Sequence, residues 1–189
     1  PNIVTALGRV VLPGPFPALV LELMAGGSLS RYLHERTQEQ RQSQPMAHEL
    51  KLQLVREVAL GLSYLHDCGI VHRDIKTSNV LLTDQPNGVD LCVHAKLSDF
   101  GIATRFGMEL TSDVGTTRYM APEVIFGPYN HRADIYSYSL LLWEVMHEAV
   151  PFPNVSSVAA LLMLKDNARP HCDVPHRVSQ DLAALIKSC

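Results

Sequence analysis

Three polar side chains of different chemistry, Asp74, Lys76 and Asn79, stand close together in the sequence. The apolar pair at residues 70–71 comes before them, and the apolar run at residues 80–82 follows directly. This pattern predicts a short loop held at both ends by buried, strand-like pieces. Such a loop could aim a carboxylate, an ammonium group and an amide into one cleft, where they would act on the same substrate. For such a stretch in isolation, a charged surface turn is the alternative interpretation.

A second carboxylate, Asp99, follows a predicted short strand at residues 96–98 and precedes Phe100 and Gly101. A carboxylate is the kind of oxygen ligand that Mg²⁺ prefers in proteins, and the Phe ring would pack inward. Further along, residues 115–123 read Gly-Thr-Thr-Arg-Tyr-Met-Ala-Pro-Glu.

The motifs His-Arg-Asp-x-x-x-x-Asn at 72–79, Asp-Phe-Gly at 99–101 and Ala-Pro-Glu at 121–123 resemble those of the eukaryotic protein kinases. The resemblance implies that Asp74 accepts the proton of the attacking hydroxyl and that Lys76 stabilises the γ-phosphoryl group during transfer. It also implies that Asn79 and Asp99 hold Mg²⁺. ATP and Mg²⁺ are therefore the expected cofactors.

The sequence Leu-Val-Leu-Glu-Leu-Met-Ala-Gly-Gly-Ser resembles the last strand of a kinase small lobe running into the interlobe hinge. By this resemblance Leu21 is the gatekeeper, and the backbones of Glu22 and Met24 face the adenine of ATP. The resemblance also places Leu81 in the nucleotide pocket. An extended hinge would leave alternate backbone N–H and C=O groups for the adenine edge. A plain flexible turn before a helix capped by Ser28 is the alternative.

The fold implied by the resemblance is α+β and protein-kinase-like: a mainly helical C-terminal lobe with the last strands of the small lobe, truncated at both ends. Residues 1–23 would be the remnant of the small lobe, 24–28 the hinge and 29–189 the incomplete large lobe. The sequence contains no G-x-G-x-x-G motif and no strand lysine upstream of the hinge. We expect those parts to precede residue 1, and we expect the isolated chain to have little or no activity.

Sequence patterns outside the motifs predict the surrounding elements. Residues 10–12 and 19–23 are predicted strands separated by a Pro-rich turn. The polar run 36–44 is a predicted solvated loop. An i, i+3, i+4 apolar stripe predicts a core helix over residues 50–66, which Gly69 would end.

The second half of the sequence is predicted to be mainly helical. Residues 133–145 are apolar almost all round, which predicts a buried helix. The resemblance implies that Asp134, at its start, anchors the backbone of the catalytic loop. Two shorter helices are predicted at 156–164 and 179–188. Lys96, by contrast, is predicted to be an exposed charge on a strand.

Composition restricts the classes of function open to this protein. With 189 residues, 47% of them hydrophobic, the chain is long enough for one globular domain. A formal net charge of −3 provides no basic field for nucleic acid, and no apolar run is long enough to span a membrane. The four cysteines have no zinc-like spacing and are expected to be reduced thiols, which favours a cytoplasmic location.

The position of Lys76, two residues after Asp74, resembles serine/threonine kinases, because tyrosine kinases typically read Asp-x-Ala-Ala-Arg-Asn here. The substrate-facing loop, residues 115–119, also has the serine/threonine form, and by resemblance the Thr116 hydroxyl bridges Asp74 and Lys76. The protein is therefore predicted to transfer the γ-phosphoryl of ATP to Ser/Thr hydroxyls of protein substrates. Similarity is greatest to the tyrosine-kinase-like group, which is mostly serine/threonine-specific despite its name.

Two other classes of function remain open at this point. A pseudokinase or scaffold would keep the fold and bind nucleotide or partners without turnover, but the intact Asp74, Asn79 and Asp99 argue against it. A small-molecule phosphotransferase of the aminoglycoside-kinase type shares an Asp-x-x-x-x-Asn loop. It would not need residues 115–123, which in protein kinases receive a polypeptide.

A regulatory site is predicted on the polar loop between the Asp-Phe-Gly and Ala-Pro-Glu motifs. A phosphate there would bring about −1.5 to −2 charges. It could pair with Arg73 of the catalytic loop and order the segment. Thr111 and Ser112 are the predicted acceptors for an upstream kinase, with Thr117 behind them. The alternative is that they are ordinary polar loop residues.

Overall fold

Two small antiparallel sheets and a set of helices make up the part of the chain that the computed structural model describes, residues 1–11, 18–86, 92–99, 118–126, 130–153, 169–172 and 178–189. The strands are β1 (Ala6–Val10), β2 (Ala18–Leu21), β3 (Gly27–Ser28), β4 (Val80–Leu82) and β5 (Ala95–Leu97). The helices are α1 (Leu29–His34), α2 (Gln38–Ser43), α3 (His48–Asp67), α4 (Pro122–Phe126), α5 (Arg132–His147) and α6 (Gln180–Ser188), with a 3₁₀ turn at Thr77–Asn79. This mixture of few strands and mainly helices is the predicted α+β class.

The two-stranded sheet near the N-terminus differs from the prediction. Its pairing runs from Ala6 opposite Leu21 to Val10 opposite Ala18, so the strands predicted at 10–12 and 19–23 are displaced. Every side chain of β1 is exposed. Backbone hydrogen bonding, rather than an apolar face, therefore determines where these two strands begin and end. For that reason the apolar residues of the sequence could not reveal the strand boundaries. The predicted Pro-rich turn lies outside the described residues.

The second sheet, in the order β3–β4–β5, lies beside the catalytic loop. Val80 of β4 pairs with Leu97 of β5, and Leu81 pairs with Ser28 of β3. Val80 and Leu97 are fully buried. The strand predicted immediately after Asn79 is therefore confirmed.

Helix α3 delivers the chain to the catalytic loop and agrees with the helix predicted over 50–66. Its apolar stripe is buried: Leu50, Leu54, Val58, Leu62 and Leu65. The helix ends in a Schellman motif, in which the Gly69 N–H donates to His66 O and the Ile70 N–H to Leu65 O, both at 2.9 Å. Gly69 has a φ of 73°, as this motif requires. The prediction of a strand-like piece at 70–71 is wrong, because a helix cap holds that end of the loop.

Helix α5 is buried almost all round, as predicted for residues 133–145. Leu140 and Leu141 are fully buried, and so is Ser139, whose Oγ donates to Tyr136 O at 2.6 Å. One cluster of buried apolar side chains joins α5 to α1, α3, α6 and the second sheet. Ile75 of the loop and Val80 directly after it belong to this cluster, so the core anchors the catalytic loop.

The prediction of a solvated loop over 36–44 is wrong. Thr37 Oγ1 accepts from the Gln40 N–H at 3.2 Å and Gln40 Oε1 accepts from the Thr37 N–H at 2.8 Å. This reciprocal capping box starts α2 without any apolar stripe. Arg36 is not solvated either, since its guanidinium stacks over the Tyr32 ring at 4.1 Å and its side chain is 13% exposed.

The remaining predictions concern the C-terminal half and the cysteines. Helix α6 agrees with the helix predicted at 179–188, and the Oγ of Ser179 caps it by accepting from the Leu182 N–H at 3.2 Å. The helix predicted at 156–164 lies outside the described residues. None of the four cysteines is placed in a disulfide. Among the described helices, none combines the length and the apolar character that crossing a membrane requires.

Candidate active site

Asp74, Lys76 and Asn79 converge at one point of the catalytic loop. Lys76 Nζ lies 2.8 Å from Asp74 Oδ2. Asn79 Nδ2 donates to the same oxygen and to the Asp74 carbonyl, both at 2.8 Å. Asp74 is only 7% exposed, and these donors stabilise its charge there. No residue in the described ranges hydrogen-bonds Asp74 Oδ1, so this oxygen keeps its capacity to accept a hydrogen bond.

The 3₁₀ turn Thr77–Asn79 explains how these side chains meet. The Asn79 N–H donates to Lys76 O at 3.0 Å, which folds the chain back on itself. The turn therefore brings the Asn79 amide over the carboxylate of Asp74. The contacts among Asp74, Lys76 and Asn79 thus join near neighbours in the sequence.

Asp134, the first acidic residue of α5, holds the backbone of the loop. Its carboxylate accepts from the His72 N–H and the Arg73 N–H, both at 2.8 Å, and lies 2.9 Å from His66 Nε2. Asp134 is 1% exposed. Arg73 has a φ of 72°, a left-handed conformation that a non-glycine residue rarely adopts. The buried carboxylate compensates for that strain, which is the anchoring role that the resemblance implies.

His72 joins the catalytic loop to the strand that leads to Asp99. Its ring is fully buried. Nδ1 accepts from the Asp74 N–H at 3.3 Å, so Nε2 carries the hydrogen that it donates to Ser98 O at 3.0 Å. This imidazole was not among the predicted site residues.

Asp99 is held next to the catalytic loop through its neighbour Ser98. The N–H and the Oγ–H of Ser98 both donate to the Asn79 carbonyl, at 2.9 and 3.0 Å. Asp99 is exposed and has a φ of 65°. Its carboxylate is therefore accessible to a ligand, and its backbone strain is of a kind found at functional sites. The other predicted residues of this region lie outside the described ranges: Phe100, Gly101, Thr111, Ser112, Thr116 and Thr117.

The predicted hinge, residues 24–28, follows β2 and includes β3. Leu21 is 43% exposed, and Leu81 is half-buried in the adjacent sheet. Met24 O accepts from the Gly27 N–H at 3.1 Å. Within the described part of the chain, nothing hydrogen-bonds the Glu22 carbonyl or the Met24 N–H. These two groups therefore keep their hydrogen-bonding capacity for a partner outside the described residues.

Lys96 is not an exposed strand charge, and that prediction is wrong. Its Nζ donates to both carboxylate oxygens of Glu22, at 2.8 and 2.7 Å, and its side chain is 19% exposed. Glu22 Oε1 also accepts from the Thr5 N–H at 2.7 Å. These bonds, that from Lys96 above all, lower the pKa of Glu22 to about 2. The ion pair ties the residues just before the hinge to the strand that leads to Asp99.

A second polar cluster, centred on Glu144, was also missed. Its other members are His34, Thr77 and Tyr119. The sequence contained one signal, because Glu144 is the single charge in the apolar run of residues 140–146. A charged residue inside a buried helix nearly always has polar partners.

The chain matches the family model described as "Protein kinase domain" over residues 1–189. The chain belongs to the protein kinase domain family. The kinase-like α+β fold is therefore confirmed. Protein kinases use ATP and Mg²⁺ and act on protein substrates.

Similar proteins include kinases named for both classes of acceptor. Serine/threonine/tyrosine-protein kinase HT1 of Arabidopsis thaliana is 33% identical over 193 residues, which covers 100% of this kinase domain and 46% of that protein. Serine/threonine-protein kinase STY46 of Arabidopsis thaliana is 34% identical over 191 residues, which covers 98% of this kinase domain and 30% of that protein. Seven transmembrane domain-containing tyrosine-protein kinase 1 of Dictyostelium discoideum is 35% identical over 195 residues, which covers 100% of this kinase domain and 27% of that protein. The chain thus spans less than half the length of these relatives.

Proposed function

We propose that the protein carrying this kinase domain transfers the γ-phosphoryl of ATP to serine and threonine hydroxyls of protein substrates. The observation that carries the proposal is the 2.8 Å contact between Lys76 Nζ and Asp74 Oδ2. This contact would place the ammonium group of Lys76 where the γ-phosphoryl meets an acceptor hydroxyl held by Asp74. A relative named as a serine/threonine kinase supports this acceptor class. Two relatives have names that include tyrosine, so the choice between Ser/Thr and Tyr as acceptor needs an experiment.

In the proposed reaction the acceptor oxygen bonds to the γ-phosphorus, the bond from that phosphorus to the β–γ bridging oxygen breaks, and ADP leaves. Asp74 Oδ1 orients the hydroxyl and takes its proton. Lys76 stabilises the negative charge that spreads over the phosphoryl oxygens in the transition state. Asn79 supports both by holding Asp74 Oδ2 at 2.8 Å.

The residues present fit a magnesium site. Asn79 uses its Nδ2 for Asp74, so its Oδ1 can face a cation, and the Asp99 carboxylate is exposed. Mg²⁺ commonly takes one or two oxygens from the protein and the rest from phosphate and water. The described ranges contain no group of three His, Cys, Asp or Glu that would suggest another metal. When bound, the ion would neutralise charge on the phosphates.

We assign the adenine end of the nucleotide site to Leu21, Glu22, Met24 and Leu81. The open Glu22 carbonyl and Met24 N–H support this assignment. The corresponding division of the chain is a small-lobe part at 1–23, a hinge at 24–28 and a large-lobe part at 29–189. Thr116 is proposed to face the acceptor.

The test is to incubate the full-length protein with Mg-ATP and generic Ser/Thr and Tyr peptide substrates. We expect phosphoserine and phosphothreonine to dominate, because Lys76 and the substrate loop have the serine/threonine form. Exclusive phosphotyrosine would overturn the acceptor assignment. Nucleotide binding without any product would instead identify a pseudokinase.

The proposed partners are a protein substrate and an upstream kinase acting on Thr111 or Ser112. This regulation rests on the sequence, and the test is the Thr111→Ala, Ser112→Ala double variant of the full-length protein. We expect lower activity that phosphatase no longer reduces, since the charge that would order the loop is absent. Ser63→Ala, on the exposed side of α3, is the control. Unchanged activity and unchanged phosphatase sensitivity would contradict the proposal. The proposed location is the cytoplasm, where cysteines without zinc-like spacing such as these four are expected to stay reduced.

A further inference from the structure

The turn that follows β4 packs directly against Gly26 of the proposed hinge. Both backbone groups of Gly26 are bound there: its N–H donates to Leu82 O at 3.0 Å, and its carbonyl accepts from Gln85 Nε2 at 2.9 Å. A Cβ at residue 26 would lie 2.6 Å from Leu82 Cβ and closer still to Asp84 O, so no side chain fits there. The hinge and the turn therefore meet at a separation that only glycine permits.

The turn is itself fixed by the residue that precedes β5. The Thr83 N–H donates to His94 O at 3.0 Å, and Thr83 Oγ1 accepts from the His94 N–H at 2.9 Å. The hinge is thus bound to a turn that is anchored on its other side. Of the two bonds to Gly26, only the one from Gln85 comes from a side chain, so a substitution can remove it alone.

The position of Gly26 bears on the proposed adenine site through the residues on either side of it. Gly27 has a φ of 68°, which glycine adopts without strain, and its N–H donates to Met24 O at 3.1 Å. This bond closes a turn over residues 24–27. A shift of Gly26 would therefore move the Met24 N–H, the group that we assign to the adenine.

We infer that Gln85 is a positioning residue for the nucleotide, because its bond to Gly26 holds the hinge in the conformation that presents Met24 to adenine. The inference rests on the proposed function. A protein whose binding-competent conformation is only partly populated binds its ligand more weakly by that fraction. Loss of the bond should therefore weaken nucleotide binding. The catalytic loop is not part of this contact, so kcat at saturating ATP should not respond.

The exposure of the bond sets the size of the effect. Gln85 is exposed and borders a cavity of about 450 Å³, which α1 and α2 also line. Water in this cavity competes for the Gly26 carbonyl. The bond therefore belongs at the low end of the range for one net hydrogen bond, which corresponds to roughly a two- to fivefold change in affinity.

A matched pair of variants of the full-length protein tests the Gln85 bond. Gln85→Met removes the donor at similar length, and Gln85→Lys keeps a donor of similar reach. We expect Gln85→Met to raise the Kd for ADP and the KM for ATP roughly two- to fivefold, with kcat and the KM for a peptide unchanged. Gln85→Lys should recover most of the affinity. Gln42→Met, at an exposed position of α2, is the control. Equal loss in both Gln85 variants would indicate packing and overturn the inference.

Gly26→Ala tests whether the close approach and the Gln85 bond act as one contact. The added Cβ would force the hinge and the turn apart, so the affinity for ADP should fall further than in Gln85→Met. Adding Gln85→Met to Gly26→Ala should then cost little more, because the bond is already broken. Fully multiplicative losses would show that the two residues act separately, against the inference.

Amide hydrogen exchange gives a readout that needs neither turnover nor nucleotide. Gln85→Met should speed exchange at Gly26 and Gly27 while protection in α6 stays the same, and Gln85→Lys should not. If the unsubstituted protein binds no nucleotide, the proposed function fails, and this measurement alone decides whether Gln85 holds the hinge. Unaltered exchange at both glycines in Gln85→Met would overturn the inference.

Discussion

Asp74→Asn should lower kcat for phosphoryl transfer by ~10²–10⁴-fold, the range associated with a lost general base. The amide has nearly the shape of the carboxylate, but it cannot take the proton of the acceptor hydroxyl. The substitution also removes the charge that holds Lys76 Nζ at 2.8 Å. Binding of Mg-ATP should change little, because the hinge and Asp99 are untouched.

The measurement is steady-state kinetics on a peptide, paired with nucleotide titration of the same preparation. Asp67→Asn, an exposed aspartate at the end of α3, is the matched control and should behave as the unsubstituted protein. A rate within a few-fold of normal for Asp74→Asn, at unchanged nucleotide affinity, would remove Asp74 from the proposed role.

The geometry around Asp74 could be predicted from the sequence because it is local. One 3₁₀ turn and hydrogen bonds between near neighbours bring Asn79 to Asp74, so residue types and spacing suffice. Helix α3 is predictable for the same reason: an apolar period defines its buried face, and Gly69 supplies the left-handed residue that ends it.

Contacts between polar side chains that are distant in the sequence could not be predicted in this way. Lys96 and Glu22 are 74 residues apart, and His34 and Glu144 are 110 apart. Local periodicity indicates which face of an element is buried, but it does not indicate which charges meet across the fold. Helix α2 is a different case. Its Thr-x-x-Gln capping signature was present in the sequence, but the missing apolar stripe favoured a loop.

Asp134→Ala should reduce the free energy of unfolding by about 3–5 kcal/mol, as expected when one partner of a buried charged network is removed. The N–H groups of His72 and Arg73 would lose their acceptor, at about 1–3 kcal/mol for each unsatisfied buried group. Arg73 would also lose the bond that holds its left-handed backbone, with φ of 72°. The rate of phosphoryl transfer should fall with the stability, because the same backbone carries Asp74.

Urea denaturation and amide exchange of His72 and Arg73 measure this effect. Asp181→Ala is the matched control: Asp181 also lies in the first turn of a helix, but it is exposed, so its loss should change stability by no more than about 0.5 kcal/mol. Asp134→Asn removes the charge but keeps one acceptor oxygen. Its side chain can therefore accept hydrogen bonds from only some of the donors that bind the carboxylate. An intermediate loss for Asp134→Asn would show that the number of accepted hydrogen bonds sets the stability of the loop. If Asp134→Ala lowered the free energy of unfolding no more than Asp181→Ala does, other contacts would hold the catalytic loop in its strained conformation.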